Sequence, residues 1–249
     1  GSQWYENGSE LWRCMKELSG DCINTVSDPQ HAYSAAARLA QFHMAAKESP
    51  YSCSGSIPHF HDSPYIFDLF KTAVDDPQYK EKRSIVESEI KDVLTYMPQE
   101  FLPKGLPQQI VHGDPKISNF LFEKNKAVSL LDFDTCLTHS PLVDIGDALR
   151  SWCNPKGEDT TETHFDPAIY RAAIDGYLSA ADLSDAEHAL IAQSGRLMTI
   201  EVASRFLRDY FEDSYFGWNQ EQFSSRAEHN LLRARGQINL FKKMRLAQL

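Results

Sequence analysis

The chain has 249 residues, 42% of them hydrophobic and 24% charged, enough for one large domain or two small ones around a substantial core. Its net charge of −10 argues against a nucleic-acid partner, whose phosphates need a basic face, but not against a nucleotide, because a local site and a metal override the global charge. No stretch approaches the roughly 18 apolar residues of a membrane span, no signal peptide opens the chain, and Gly1-Ser2 reads as a cloning scar, so a cytoplasmic protein is expected.

Trp4 to Leu18 reads as two short strands around a turn at Asn7-Gly8, the strongest short hairpin signal. Ser27-Asp28-Pro29 then announces a helix, a capping residue followed by proline in the first turn. That helix should run through AYSAAARLAQFHMAA, with Ala37, Leu39, Ala40 and Phe42 on or near its buried side. Residues 55–64 look like a loop, and a long polar helix is expected over 78–96. QQIVHGD, NFLF and AVSLLDFDT are short apolar pieces broken by polar residues, which suggests a small sheet or hairpin among helices. Further helices are expected near 167–180, 184–211 and 219–244. The fold class is therefore α+β and mostly helical, with a small central β element. The five cysteines, Cys14, Cys22, Cys53, Cys136 and Cys153, are scattered without CxxC spacing and are expected to be reduced and mostly buried.

The informative stretch is His112-Gly113-Asp114-Pro115-Lys116-Ile117-Ser118-Asn119, followed by Asp132-Phe133-Asp134. Phosphoryl transfer to a hydroxyl needs a carboxylate that orients the hydroxyl and accepts its proton, oxygen ligands for magnesium, and positive charge to offset what develops on the transferred group. Asp114 suits the first task. Asn119 and Asp132 suit the second, since Mg²⁺ takes a few protein oxygens beside phosphate and water. HGD-x-x-x-x-N followed by a strand ending in D-x-D resembles the aminoglycoside phosphotransferase and choline kinase families, relatives of the protein kinases with their H-R-D-x-x-x-x-N loop. The resemblance implies ATP and Mg²⁺ as cofactors, Asp114 as catalytic base, Asn119 and Asp132 as metal ligands, Asp134 in an outer shell and His112 in a structural role.

HGDPKISNFLF, LLDFDT, DIGDALRS, SRFLRDYFEDSYF and HNLLRARGQINL look like the N-acetylhexosamine 1-kinase branch of that family. By that resemblance Lys116 would contact the sugar or the transferred phosphate, and Arg205 and Tyr215 would contact the sugar. The residues alone leave a second reading open, a helix end packed on the lobe with Arg205 in an ordinary ion pair. Asp144 and Asp147 are expected to support structure by capping and hydrogen bonding, with Arg150 pairing to one of them. His59-Phe60-His61-Asp62 invites a zinc reading, but no cysteine or glutamate lies at ligand spacing.

The kinase-like resemblance also implies a small N-terminal lobe with a phosphate-covering loop. No glycine-rich loop occurs in the first hundred residues. Residues 1–20 therefore read as a remnant of that lobe, hairpin and hinge, with 21–249 as a kinase-like C-terminal lobe. Met15 to Leu18 would be the hinge, and Glu17 and Leu18 would meet the nucleotide. The small lobe is then either cut away or naturally lacking. A hairpin stripped of its sheet leaves unpaired edges, so dimerisation or strand exchange through residues 4–18 is expected. Rival functions are phosphorylation of choline, an aminoglycoside or a homoserine-like alcohol, and a non-catalytic binding module.

Overall fold

The computed structural model describes residues 4–14, 16–53 and 56–247. These residues form nine α-helices and three small antiparallel sheets. Strands β1 (Tyr5–Asn7) and β2 (Glu10–Trp12) make the hairpin expected at Asn7-Gly8, with Tyr5 opposite Trp12. Gly8 supplies the positive φ of 65° that the turn needs. The hairpin forms a sheet of its own, and Tyr5, Leu11 and Trp12 are more than half exposed. Met15, Gly55 and Gly1-Ser2 lie outside the described residues.

Strand β3 (Asp21–Cys22) joins β5 (Phe120–Glu123) and β6 (Lys126–Leu130) in the order β3-β5-β6. Strand β4 (Gln109–Val111) pairs instead with β7 (Leu137–His139). The 112–119 segment thus crosses from one sheet to the other, and Phe133–Thr135 returns across the same gap as a turn of 3₁₀ helix.

Helix α1 (Pro29–Lys47) begins where the cap signal placed it: the Asp28 carboxylate accepts from the Gln30 amide at 2.9 Å. Its buried stripe is Ala32, Ala35, Ala36, Leu39, Ala40 and His43, while Ala37 and Phe42 are half-buried at its margin. Alanine lets another helix approach closely, and α1 packs on α6 (Pro167–Leu178) with α5 (Pro141–Trp152) alongside. A second apolar cluster joins α2 (Ser63–Asp75), α4 (Glu87–Glu100), α8 (Ile191–Glu212) and α9 (Arg226–Leu246). Helix α8 is the spine between the two clusters. It meets α5 where Gly146 lies against the Ser194 carbonyl, leaving no room for a Cβ.

Several expected boundaries move. The polar helix over 78–96 breaks at Val86, separating α3 (Lys80–Ile85) from α4. Val86 is fully buried, and the break turns Ile90, Val93 and Met97 onto the core. The helix over 184–211 divides at Leu190, leaving α7 (Asp185–Ala189) closed by a Ser184–Glu187 capping box. The last helix starts at Arg226 rather than 219, with Ser225 as its cap. Helices α2 and α5 were not anticipated, although Ser140-Pro141 is the same cap-and-proline signal that announced α1. The expectation of mostly buried cysteines fails: only Cys153 is buried, Cys53 and Cys136 are half-buried, and Cys14 and Cys22 are exposed. Two of these sit on or beside short exposed strands with little core to enter.

Candidate active site

The 112–119 loop is held by a buried polar frame. Gly113 sits at φ 84°, and a Cβ there would lie 2.5 Å from the Thr135 carbonyl oxygen, so the loop and the 133–135 turn meet only through glycine. The Asp144 carboxylate on α5 accepts from the His112 amide at 2.6 Å and the Gly113 amide at 2.8 Å. The same carboxylate meets His43 Nε2 at 2.8 Å, and His43 Nδ1 lies 2.7 Å from the Tyr177 hydroxyl. Burial works against the charge on Asp144, but His43, His112 and the Gly113 amide outweigh it and hold its pKa below the ordinary range. His112 Nδ1 accepts from the Asp114 amide at 3.3 Å, which leaves Nε2 to donate to the Leu131 carbonyl at 2.7 Å. His112 is fully buried, with both ring nitrogens in hydrogen bonds.

Two further residues fix the loop. Trp152 Nε1 donates to the Pro115 carbonyl at 3.0 Å, and Thr135 Oγ1 donates to the His112 carbonyl at 2.9 Å. From the other side, His61 Nε2 donates to the Gly113 carbonyl at 2.8 Å. His61 Nδ1 meets Glu201 Oε1 at 3.0 Å, and the second Glu201 oxygen accepts from the Ser63 hydroxyl. Both ring nitrogens of His61 therefore face acceptors. Burial penalises its charge, yet Glu201, Asp147 and the Gly113 carbonyl outweigh that and raise its pKa. The 59–62 motif thus has a structural account: His59 stacks on Tyr65 at 3.8 Å and pairs with Asp62 at 3.0 Å, while His61 bridges α8 to the loop.

Asp114 is half-buried and pairs with Lys116 at 2.8 Å. Burial lowers the Lys116 pKa less than Asp114, Asp132 and Asp147 raise it, so the ammonium stays charged and Asp132 lies within its electrostatic reach. Asn119 is buried and spends its Nδ2 on the Asp114 carbonyl at 2.8 Å, which leaves its Oδ1 for another partner. Asp132 is exposed at φ 64°, ψ 66°, a left-handed conformation that non-glycine residues adopt chiefly at special sites.

A cavity of about 660 Å³ opens beside Asp114 and Lys116. Arg205 and Tyr215 line the same cavity, so the structure brings together four of the expected site residues. Among the described residues Arg205 is in no ion pair: its guanidinium lies 5.4 Å from the Phe60 ring centroid, 5.8 Å from Tyr215 and 5.5 Å from Phe216. The wall is placed by Asp209, whose carboxylate accepts from the backbone amides of Ser214 and Tyr215 at 2.8 Å and of Phe216 at 2.9 Å. Asp147 pairs with Arg150 at 2.7 Å, and Arg150 reaches on to Glu158. Asp159 accepts from Arg233 at 2.6 Å and meets His229 at 2.9 Å. Glu17 and Leu18 are exposed and line none of the principal cavities. Sequence reasoning weighed His61 only as a zinc ligand and gave Glu201 and Asp209 no role; both acids lie on the buried face of α8, a placement that only packing reveals.

Residues 5–186 match the phosphotransferase enzyme family. The chain belongs to that family. The match begins at residue 5, which gives no support to reading the small lobe as missing. The homoserine kinase of Phenylobacterium zucineum is 26% identical over 161 residues, 65% of this chain and 46% of that one. The homoserine kinase of Zymomonas mobilis is 31% identical over 101 residues, 41% of this chain and 30% of that one. The chain spans less than half the length of the curated relatives it matches. Among solved structures, choline kinase from Cryptosporidium parvum superposes with a TM-score of 0.57 at 14% identity, covering 98% of this chain and 74% of that one. The fold of the chain is therefore the kinase-like one. The N-acetylhexosamine branch finds no counterpart among these relatives, which carry the name homoserine kinase. Among the described residues, no helix is long and apolar enough to cross a membrane.

Proposed function

We propose that this phosphotransferase moves the γ-phosphoryl group of ATP to a hydroxyl of a small polar molecule. The observation that carries the reading is Asp114, held by the buried loop frame with its carboxylate at the cavity beside Lys116. In this reading the acceptor hydroxyl gives its proton to the Asp114 carboxylate as its oxygen bonds to the γ-phosphorus. The bond from phosphorus to the bridging oxygen of ADP breaks, and ADP leaves. Lys116 supplies positive charge beside the transferred group.

The donor set suits magnesium: Asn119 Oδ1 is free of the bond its amide nitrogen makes, and Asp132 projects an exposed carboxylate near Lys116. Asn119 and Asp132 would hold the ion, whose charge offsets that of the phosphates, and Asp134 would sit in its outer shell. Glu17 and Leu18 are proposed at the nucleotide end. For the acceptor, the motifs around Lys116, Arg205 and Tyr215 favour an N-acetylhexosamine-like sugar, and the names of the relatives favour homoserine. The exposed β1–β2 hairpin supports dimerisation through residues 4–18, and a strictly monomeric light-scattering profile at high concentration would refute it.

The test is ADP release with Mg-ATP against N-acetylglucosamine, N-acetylgalactosamine, L-homoserine, choline and kanamycin, with Asp114→Asn beside it. Turnover with one acceptor that the variant abolishes is the expected result. Equal ADP release by both proteins would sink the assignment of the base.

A further inference from the structure

Charge pairing in the cavity sorts its cations into two kinds. Lys116 pairs with Asp114, Arg150 with Asp147 and Glu158, and Arg233 with Asp159. Arg205 alone among these cations makes neither an ion pair nor a hydrogen bond among the described residues. Glu201, one turn earlier on α8, acts on Arg205 through its charge but has both oxygens committed to His61 and Ser63. Arg205 is half-buried between three aromatic rings, which hold its plane but offer its five N–H donors no acceptor. A guanidinium kept in place with its donors unspent is shaped for a planar anion, which it binds through two parallel hydrogen bonds.

We infer that the acceptor carries a carboxylate and that Arg205 clamps it while the acceptor hydroxyl faces Asp114. The inference rests on the phosphotransfer reading for its geometry. It separates the candidate acceptors by what the cavity has left to offer. A quaternary ammonium needs the aromatic rings, and the Arg205 guanidinium already occupies them. A polycation needs unpaired carboxylates, and Asp147, Glu158 and Asp159 are paired with Arg150, Arg233 and His229. A neutral sugar would leave the guanidinium donors of Arg205 without a charged acceptor, since Glu201 acts on it only through space. A hydroxy acid meets Arg205 and leaves further polar groups for Gln237, a buried residue on the cavity wall whose Oε1 has no partner among the described residues.

The experiment compares acceptors that differ by the carboxylate alone: L-homoserine against 3-aminopropan-1-ol, and D-glucuronate against D-xylose. Binding is measured by calorimetry, and ADP release with Mg-ATP is measured on the same samples, for the wild type, Arg205→Lys and Arg205→Gln. One carboxylate should bind about 100-fold more tightly than its counterpart. Arg205→Gln should remove most of that ratio by weakening the carboxylate far more than its counterpart, and Arg205→Lys should keep part of it, because a point charge attracts the anion without the two parallel bonds. Failure of both carboxylates to bind, a ratio near one, or a ratio unchanged in Arg205→Gln would overturn the inference. Tight, Arg205-dependent binding without ADP release would keep the clamp and refute phosphotransfer. ADP release with 3-aminopropan-1-ol or D-xylose but with neither carboxylate would do the reverse.

Discussion

The 112–119 loop and the 205–216 wall face one cavity but are held in different ways. The loop is fixed by buried charge-assisted hydrogen bonds that converge from α1, α5, α8 and the 59–63 turn. The wall is fixed at its base by Asp209, and above that by rings around Arg205, with Tyr215 63% exposed. Buried polar networks tolerate few alternatives, because any unpaired member is costly, whereas exposed aromatic contacts shift at little cost. In the proposed function the proton-accepting loop lies on the rigid side and acceptor recognition on the adaptable one.

That contrast can be broken most sharply at Asp114. Asp114→Asn should lower the rate by about 10³-fold, with acceptor affinity changed less than tenfold, since a general base contributes about 10²–10⁴. Single-turnover kinetics and calorimetry together separate the two, and a loss seen mainly in affinity would contradict the role. Asp144→Ala should cost stability rather than chemistry alone. It strands two backbone amides and the His43 partner in a fully buried place, for a loss of about 3–5 kcal/mol in urea unfolding. A loss below about 1 kcal/mol would show that the frame does not depend on it.

Asp209→Ala tests the wall. Hydrogen exchange should quicken at the 214–216 amides and the acceptor KM should rise about tenfold with kcat largely kept, as uniform binding is lost; a fall in kcat alone would speak against this division. His61 adds a pH signature. Its pKa is raised by Glu201, Asp147 and the Gly113 carbonyl despite burial, so its contribution to stability is full below about 6.5, the unbound histidine value. That contribution is lost as pH rises through the higher folded pKa. The pair's other half behaves oppositely: Glu201, held below the ordinary carboxylate range once His61 outweighs burial, contributes above that range and loses its effect as pH falls. Thermal unfolding of the wild type should therefore show an alkaline decline starting above pH 6.5 that His61→Gln lacks, and identical profiles would exclude this role.

The smallest effect is chemical. Burial, with Asp144, Cys53 and Asp134 adding to it, pushes the Cys136 thiol up to about 12. Iodoacetamide at neutral pH should modify the exposed Cys14 and Cys22 well before Cys136 and Cys153, because only the thiolate reacts. Equal rates would mean that the 132–136 turn opens readily.

Much of this was legible in the chain. Asp28-Pro29 and the alanine-rich run located α1, Asn7-Gly8 located the first hairpin, and the H-G-D-x-x-x-x-N spacing located Asp114 and Asn119 around one loop. These features are local: a cap, a turn and a five-residue step each act within a few residues, so sequence alone determines them. The same is true of the mostly helical class, read from periodicity. Other decisions belong to tertiary structure. Whether His61 binds a metal or bridges Glu201 to the Gly113 carbonyl depends on partners 140 and 52 residues away. The helix over 78–96 breaks at Val86 because the core claims that side chain, against the local preference for a continuous helix. Arg205 could have been read as an ordinary ion pair, and only packing shows that Glu201 is committed elsewhere. Long-range pairing is decided by which groups burial forces to find a partner, and that choice is made only when the chain is folded.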